Sequence, residues 1–199
     1  MAAPGVGNQP AAPHPSRRAL YTWERFAGGL GALAAVVAFV VTVRADFLAY
    51  PGWLALQKAD LIAGPIAVGL YWRHVRPQSR FGPMLVGLGI LQIPYIAQSS
   101  SNDVLFTFGV HWEGVIYLAT LAVILAFPTG RLGPFDRAIL VVAALGVVVP
   151  SSAITLISPE IFAGGSISSC ASACPDNALV LGSEPVLANR LFEIGRAHV

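Results

Sequence analysis

Charged side chains are scarce in this 199-residue chain, 11% of residues against about 25% in soluble domains. With 55% hydrophobic residues and a mean hydropathy of +0.68, most of the chain is too apolar for water, and its solvent is lipid. The net charge of +2 is small and dispersed, and no basic stripe with interleaved aromatics exists, which argues against a nucleic-acid partner. No phosphate-binding loop, nucleophile elbow, His-Glu-x-x-His pair or dinucleotide fingerprint is present. The chain therefore offers no catalytic residue, cofactor site or metal centre that can be named. Only two cysteines occur, Cys170 and Cys174, too few for a disulfide scaffold, and no nearby histidine completes a zinc site.

What the chain has in abundance is apolar runs separated by short basic turns. The stretch Phe127–Arg137 organises them: it closes the run Val115–Phe127 and opens the run Ala138–Val149. Pro128 and Gly130 stop one helix, Arg131 and Arg137 supply positive charge, and Pro134 prepares the next start. The pattern predicts an all-α, polytopic transmembrane bundle of about five spans over residues 17–157. The spans are Phe26–Val43, Trp53–Trp72, Phe81–Ala97 with a kink at Pro94, a fourth starting between Val104 and Trp112 and ending at Phe127, and Arg137–Ile157. The first is near full spanning length and lacks a small-x-small cleavage site, so it reads as an uncleaved span rather than a signal peptide. Residues 1–16, rich in Pro, Ala and Gly, read as a disordered tail; 158–185 read as an extramembrane loop, and 186–192 as the start of a sixth helix. Residues 193–199 resemble a translated sequencing-adapter stretch, which would end the biological sequence near Phe192.

Orientation follows from the basic residues. With the N-terminus in the cytoplasm, Arg17, Arg18, Arg25, Arg73, Arg76, Arg80, Arg131 and Arg137 share that side, against Arg44 and Lys58 outside, eight against two. Trp23, Trp53, Trp72 and Trp112 all fall near expected interfaces, where an amphipathic ring is most comfortable.

Charged groups in a bilayer are costly and mark candidate sites. Asp60 could receive a signal by protonation or by pairing with Lys58, Arg44 or a neighbouring helix; the simpler reading is a solvated carboxylate near the outer headgroups. Lys58 and Asp60 fall roughly 10 Å below the outer end of their span, within reach of snorkelling. His111 and Glu113, flanking Trp112, could sense pH or bind a cation, and the simpler reading is an interfacial helix start anchored by Trp112. Cys170 and Cys174 lie in a loop placed outside the cytoplasm, where a small disulfide is favoured over free thiols or a redox sensor. Gly28, Gly31, Ala32 and Ala35 permit close helix packing, a weak dimerisation signal. The basic loop Arg73–Arg80 holds topology and could also contact anionic headgroups.

Several motifs occur together in order. Trp72, Arg73, Pro77, Arg80, Gly82 and Pro83 form one turn; Pro128, Gly130, Arg131, Leu132, Asp136 and Arg137 form another; Trp53 with Asp60 opens the second span, and Cys170 with Cys174-Pro175-Asp176-Asn177 forms an outer loop. This set resembles the amino-terminal membrane region of bacterial, especially actinobacterial-type, sensor histidine kinases, over roughly residues 53–181, with Phe127 where that family usually has Tyr. The resemblance implies a homodimeric input domain in the plasma membrane, whose kinase portion would lie beyond this chain and act on a cytoplasmic response regulator. The alternatives are a small transporter or channel subunit, or the membrane anchor of another signalling output domain.

Overall fold

The computed structural model describes residues 17–158 and 168–181, with side chains from Thr22 onward. The expected tail 1–16, the loop residues 159–167 and 182–185, the helix start 186–192 and the terminal stretch 193–199 lie outside the described residues. The elements are α1 (Arg17–Val43), α2 (Pro51–Val75), α3 (Phe81–Leu91), a 3-10 segment (Ile93–Ser99), α4 (Asp103–Leu125) and α5 (Pro134–Ile157). Among the described residues there is no strand, and one isolated antiparallel bridge joins Leu48 to Cys170.

Four helical stretches are long and apolar enough to cross a membrane: Thr22–Val43, Phe81–Ser99, Asp103–Leu125 and Pro134–Ile157. The 25-residue α2 has the length but also carries Lys58, Asp60 and Arg73, and it packs against both α1 and α3. Only 6% of the most apolar window of α5 is buried within the chain, while Val142 is 70% and Leu145 61% exposed. In water each square ångström of such surface would cost about 25 cal/mol, so this face is compatible with hydrocarbon surroundings.

Local signals account for the helix ends. Asn102 caps α4 by accepting the Leu105 N–H at 3.2 Å, with Asp103 in the first turn, so the fourth span begins at the early edge of its expected range. Pro134 opens α5, and the Asp136 carboxylate accepts the Gly133 N–H at 2.8 Å. Pro51 likewise opens α2.

The core of the first three helices is made of Ala27, Ala34, Ala35 and Ala38 from α1, Ile62 and Ile66 from α2, and Val86 from α3. A Cβ at Gly31 would stand 2.6 Å from the end of the Ile66 side chain, so the small residues Gly31 and Ala35 serve packing inside the chain, while Ala32 faces outward. The third span is the main departure from expectation. In place of one kinked helix, it runs as α helix to Leu91 and then as a 3-10 segment.

Gly109 lets α4 press onto that segment, because a Cβ there would overlap the Gln98 backbone nitrogen. Gly109→Ala is expected to lower stability by about 1–3 kcal/mol. Gly146→Ala, with nothing within 4 Å of the added carbon, should be neutral or slightly stabilising. Thermal unfolding of both variants in detergent by circular dichroism measures the contrast; equal melting temperatures would refute the close approach.

Candidate functional site

Pro94 creates the chemistry at the centre of the bundle. In an α-helix the Leu91 carbonyl accepts from Tyr95, and in a 3-10 turn it accepts from residue 94. Here the Tyr95 N–H turns to Gln92 O at 3.1 Å and Pro94 has no N–H, so the Leu91 carbonyl loses both ladder partners. The indole Nε1–H of Trp112 takes their place, donating to Leu91 O at 2.8 Å. Trp112 is the tenth residue of the 23-residue α4, not an anchor at its start. It fastens the break in the third span from a neighbouring helix.

A second side chain does the same one turn further on. Lys58 Nζ donates to Tyr95 O at 3.2 Å and to Ser99 Oγ at 2.8 Å, and lies 4.4 Å from the Tyr95 ring centroid. Ser99 Oγ is also 2.8 Å from Thr42 Oγ1 of α1. One hydrogen-bonded chain thus ties α1, α2 and the 3-10 segment together. Lys58 is 1% exposed, so its ammonium reaches back toward the outer end of α2 without reaching solvent, unlike the snorkelling expected of it. Among the described residues the one ion pair is Arg73 with Glu24, so the Lys58 charge rests on oxygen dipoles and a ring face rather than on a carboxylate in contact. Among the described residues the neighbouring amide of Gln98, 1% exposed, makes no hydrogen bond of good geometry.

The sequence held a signal for Lys58. Leu54, Lys58, Ile62 and Ile66 repeat every four residues along α2, and all four are buried. Asp60, two positions on, faces outward and pairs with neither Lys58 nor Arg44. His111 and Glu113 are likewise not brought together. His111 Nδ1 lies 3.2 Å from Thr155 Oγ1 of α5, and Glu113 accepts the Tyr117 hydroxyl at 2.6 Å, both well inside α4.

Above the Lys58 cluster the chain opens a cleft of about 360 Å3, lined by Arg44, Asp46, Phe47, Ser99, Ser101 and Ser172. One wall belongs to a loop in which Cys170 and Cys174 form a disulfide with a Cα–Cα distance of 5.6 Å. The loop is strapped to the α1–α2 connection by Ala49 N–H to Ser169 O at 2.9 Å and Ala171 N–H to Phe47 O at 2.8 Å. It reaches α4 through the Asp176 N–H on Asp103 Oδ1 at 3.0 Å and the Ala178 N–H on Thr107 Oγ1 at 3.1 Å. Asn177 Nδ2 donates to the Thr155 and Ser158 carbonyls at the end of α5. The Cys-Pro-Asp-Asn stretch therefore staples the loop across this end of the bundle.

The opposite end gathers the two basic turns. Trp72, Phe81 and Phe127 form a cluster with ring centroids 5.2–6.0 Å apart, and Ser79 Oγ donates to Pro128 O at 3.3 Å. Gly130, with φ of 72°, sits against the Arg80–Phe81 backbone, and a Cβ there would lie 2.5 Å from it. Gly82 is similarly close to the Gly69 carbonyl of α2. Arg73 Nε pairs with Glu24 Oε1 at 3.0 Å and covers the Trp23 ring at 5.1 Å. Pro77, Pro83, Arg131 and Arg137 are exposed around these contacts, and Leu132 is half-buried. No family model, curated protein or solved structure matches this chain.

Trp112→Phe keeps the aromatic contact with Phe108 but leaves the Leu91 carbonyl without its donor. It is expected to cost about 1–3 kcal/mol in thermal unfolding. Lys58→Met should speed hydrogen exchange of the 93–99 amides more than that of α5, read by mass spectrometry in micelles. Uniform exchange across both regions would show that Lys58 does not hold the segment.

Proposed function

We propose that this chain is the membrane input region of a bacterial sensor histidine kinase, relaying a condition of the cell envelope to a cytoplasmic output domain. The motif resemblance over residues 53–181 motivates the assignment. The observation that carries it is the path of the third span. At one end the 3-10 segment contributes Ser99 to the cleft and binds Lys58; at the other, Phe81 stands in the cluster that joins the two motif-bearing turns. A change in how the segment is held at one end has a route to the other along this span, through the break that Trp112 and Lys58 fasten.

In this reading α2 is a fifth span, sheltered by α1 and α3, and a sixth would follow the disulfide loop. The basic turns 76–80 and 126–133 face the cytoplasm, the loop at 168–181 faces the envelope, and the molecule acts as a homodimer with a response regulator as downstream partner. Signalling would shift the bundle between two helix packings, which requires a stimulus of unequal affinity for them.

A second reading, a small transporter or channel subunit, is favoured by the broken third span with buried polar groups beside it, a feature of transporter sites. The two diverge downstream in the gene. A dimerisation helix with a phosphorylatable histidine and an ATP-binding domain is expected, and a second transporter repeat would decide for transport.

Sidedness has its own measurement. Single cysteines at Ser79 and Thr129, in a protein lacking Cys170 and Cys174, should react with an impermeant maleimide only after the cytoplasmic side is opened. A cysteine at Asp176 should react in intact cells. The reverse pattern would invert the map and remove the envelope-signal reading.

A further inference from the structure

The cleft at the disulfide end carries opposite charges that the protein leaves uncombined. Arg44 and Asp46 both line it, both are exposed, and among the described residues neither has an ion-pair partner. Ser101 and Ser172 line the same space, and their hydroxyls have no hydrogen bond among the described residues. Ser99 also lines the cleft, and its buried hydroxyl is already held by Lys58 and Thr42. A guanidinium favours a carboxylate or phosphate, a carboxylate favours an ammonium, and a hydroxyl serves either. At about 360 Å3 the space lies at the small end of ligand sites, enough for one or two amino-acid residues or a lipid headgroup.

We propose that this cleft binds a small zwitterion, its anionic group on Arg44 and its ammonium on Asp46, with Ser101 and Ser172 orienting it. The ligand sits against Ser99, so binding bears on the Lys58 hydrogen bonds that fasten the 3-10 segment. Ser172 stands between Cys170 and Cys174, so the disulfide holds one wall in place. The proposal rests on the envelope-signal reading for its consequence, but the binding itself does not require a kinase. Two sources share this chemistry, a free amino acid or dipeptide and the headgroup of phosphatidylethanolamine.

The test uses the full chain in nanodiscs of phosphatidylglycerol, which has no ammonium group, titrated with L-alanyl-L-alanine by calorimetry, with propionate and propylamine as single-charge controls. A parallel arm replaces part of the lipid with phosphatidylethanolamine and reads the rise in melting temperature. Saturable dipeptide binding, weakened at least tenfold by Arg44→Gln and by Asp46→Asn and lost on reduction of the disulfide, supports a free ligand. Stabilisation confined to the phosphatidylethanolamine arm, and abolished by the same substitutions, supports the headgroup. Both substitutions are at exposed positions, and unchanged far-ultraviolet circular dichroism confirms that the variants fold. The proposal is overturned if propionate binds as tightly as the dipeptide, if neither arm responds, or if both substitutions leave the response intact. Those results would leave the kinase assignment standing, since the downstream gene decides it separately.

Discussion

A backbone carbonyl in apolar surroundings has to find a donor, and in this protein one carbonyl lacks its own. Once Pro94 interrupts the third span, Leu91 has no partner on its own helix, and an unpaired group in hydrocarbon costs several kcal/mol. The donor comes from α4, through the Trp112 indole. One turn further along the segment, the Tyr95 carbonyl accepts from the ammonium of Lys58 of α2. Two helices are thereby committed to fixed positions about a third, and Gly109 exists where α4 must come close enough for its indole to reach. The position of the break sets the arrangement of the surrounding bundle.

That constraint explains why a charged side chain is tolerated deep in the molecule. Lys58 occupies a position that, by its spacing with Leu54 and Ile62, belongs to the buried stripe of α2. Its direction toward the helix start brings Nζ to Ser99, whose hydroxyl in turn meets that of Thr42, both near the outer ends of their own elements. Asp60, on the opposite side of the same helix, is left facing the surroundings. Two charged residues that look equivalent in the sequence therefore have different fates, one enclosed and hydrogen-bonded, the other exposed.

The two ends of the molecule are built by different means. The end bearing the basic turns is held by an aromatic triangle with Phe81 buried in it, a close glycine contact and one ion pair. The disulfide end is held by a strap of backbone hydrogen bonds and by Asn177, and it leaves a polar cleft open. In the two proposals the open end receives a zwitterion and the opposite end passes on a change in packing, with the third span as their shared element.

Composition, the apolar runs and the spacing of arginines were enough to anticipate an all-helical chain with helices long and apolar enough to cross a membrane, and to group the basic turns at one end. Those properties depend on the free energy of each segment in lipid or water, which is nearly additive along the chain. Helix stops at Pro128 and Gly130, and the restart at Pro134, were legible for the same reason: they act within one turn, whereas the Asp136 carboxylate on the Gly133 N–H was seen only in the structure. The partners of Lys58 and Trp112 were not, because they lie 37 and 41 residues from Lys58 and 21 from Trp112 and exist only once separate helices are packed. Which charge would be enclosed, where the third span would abandon the α ladder and which polar groups would share a cleft were decided by tertiary contacts, since each depends on what a neighbouring helix supplies.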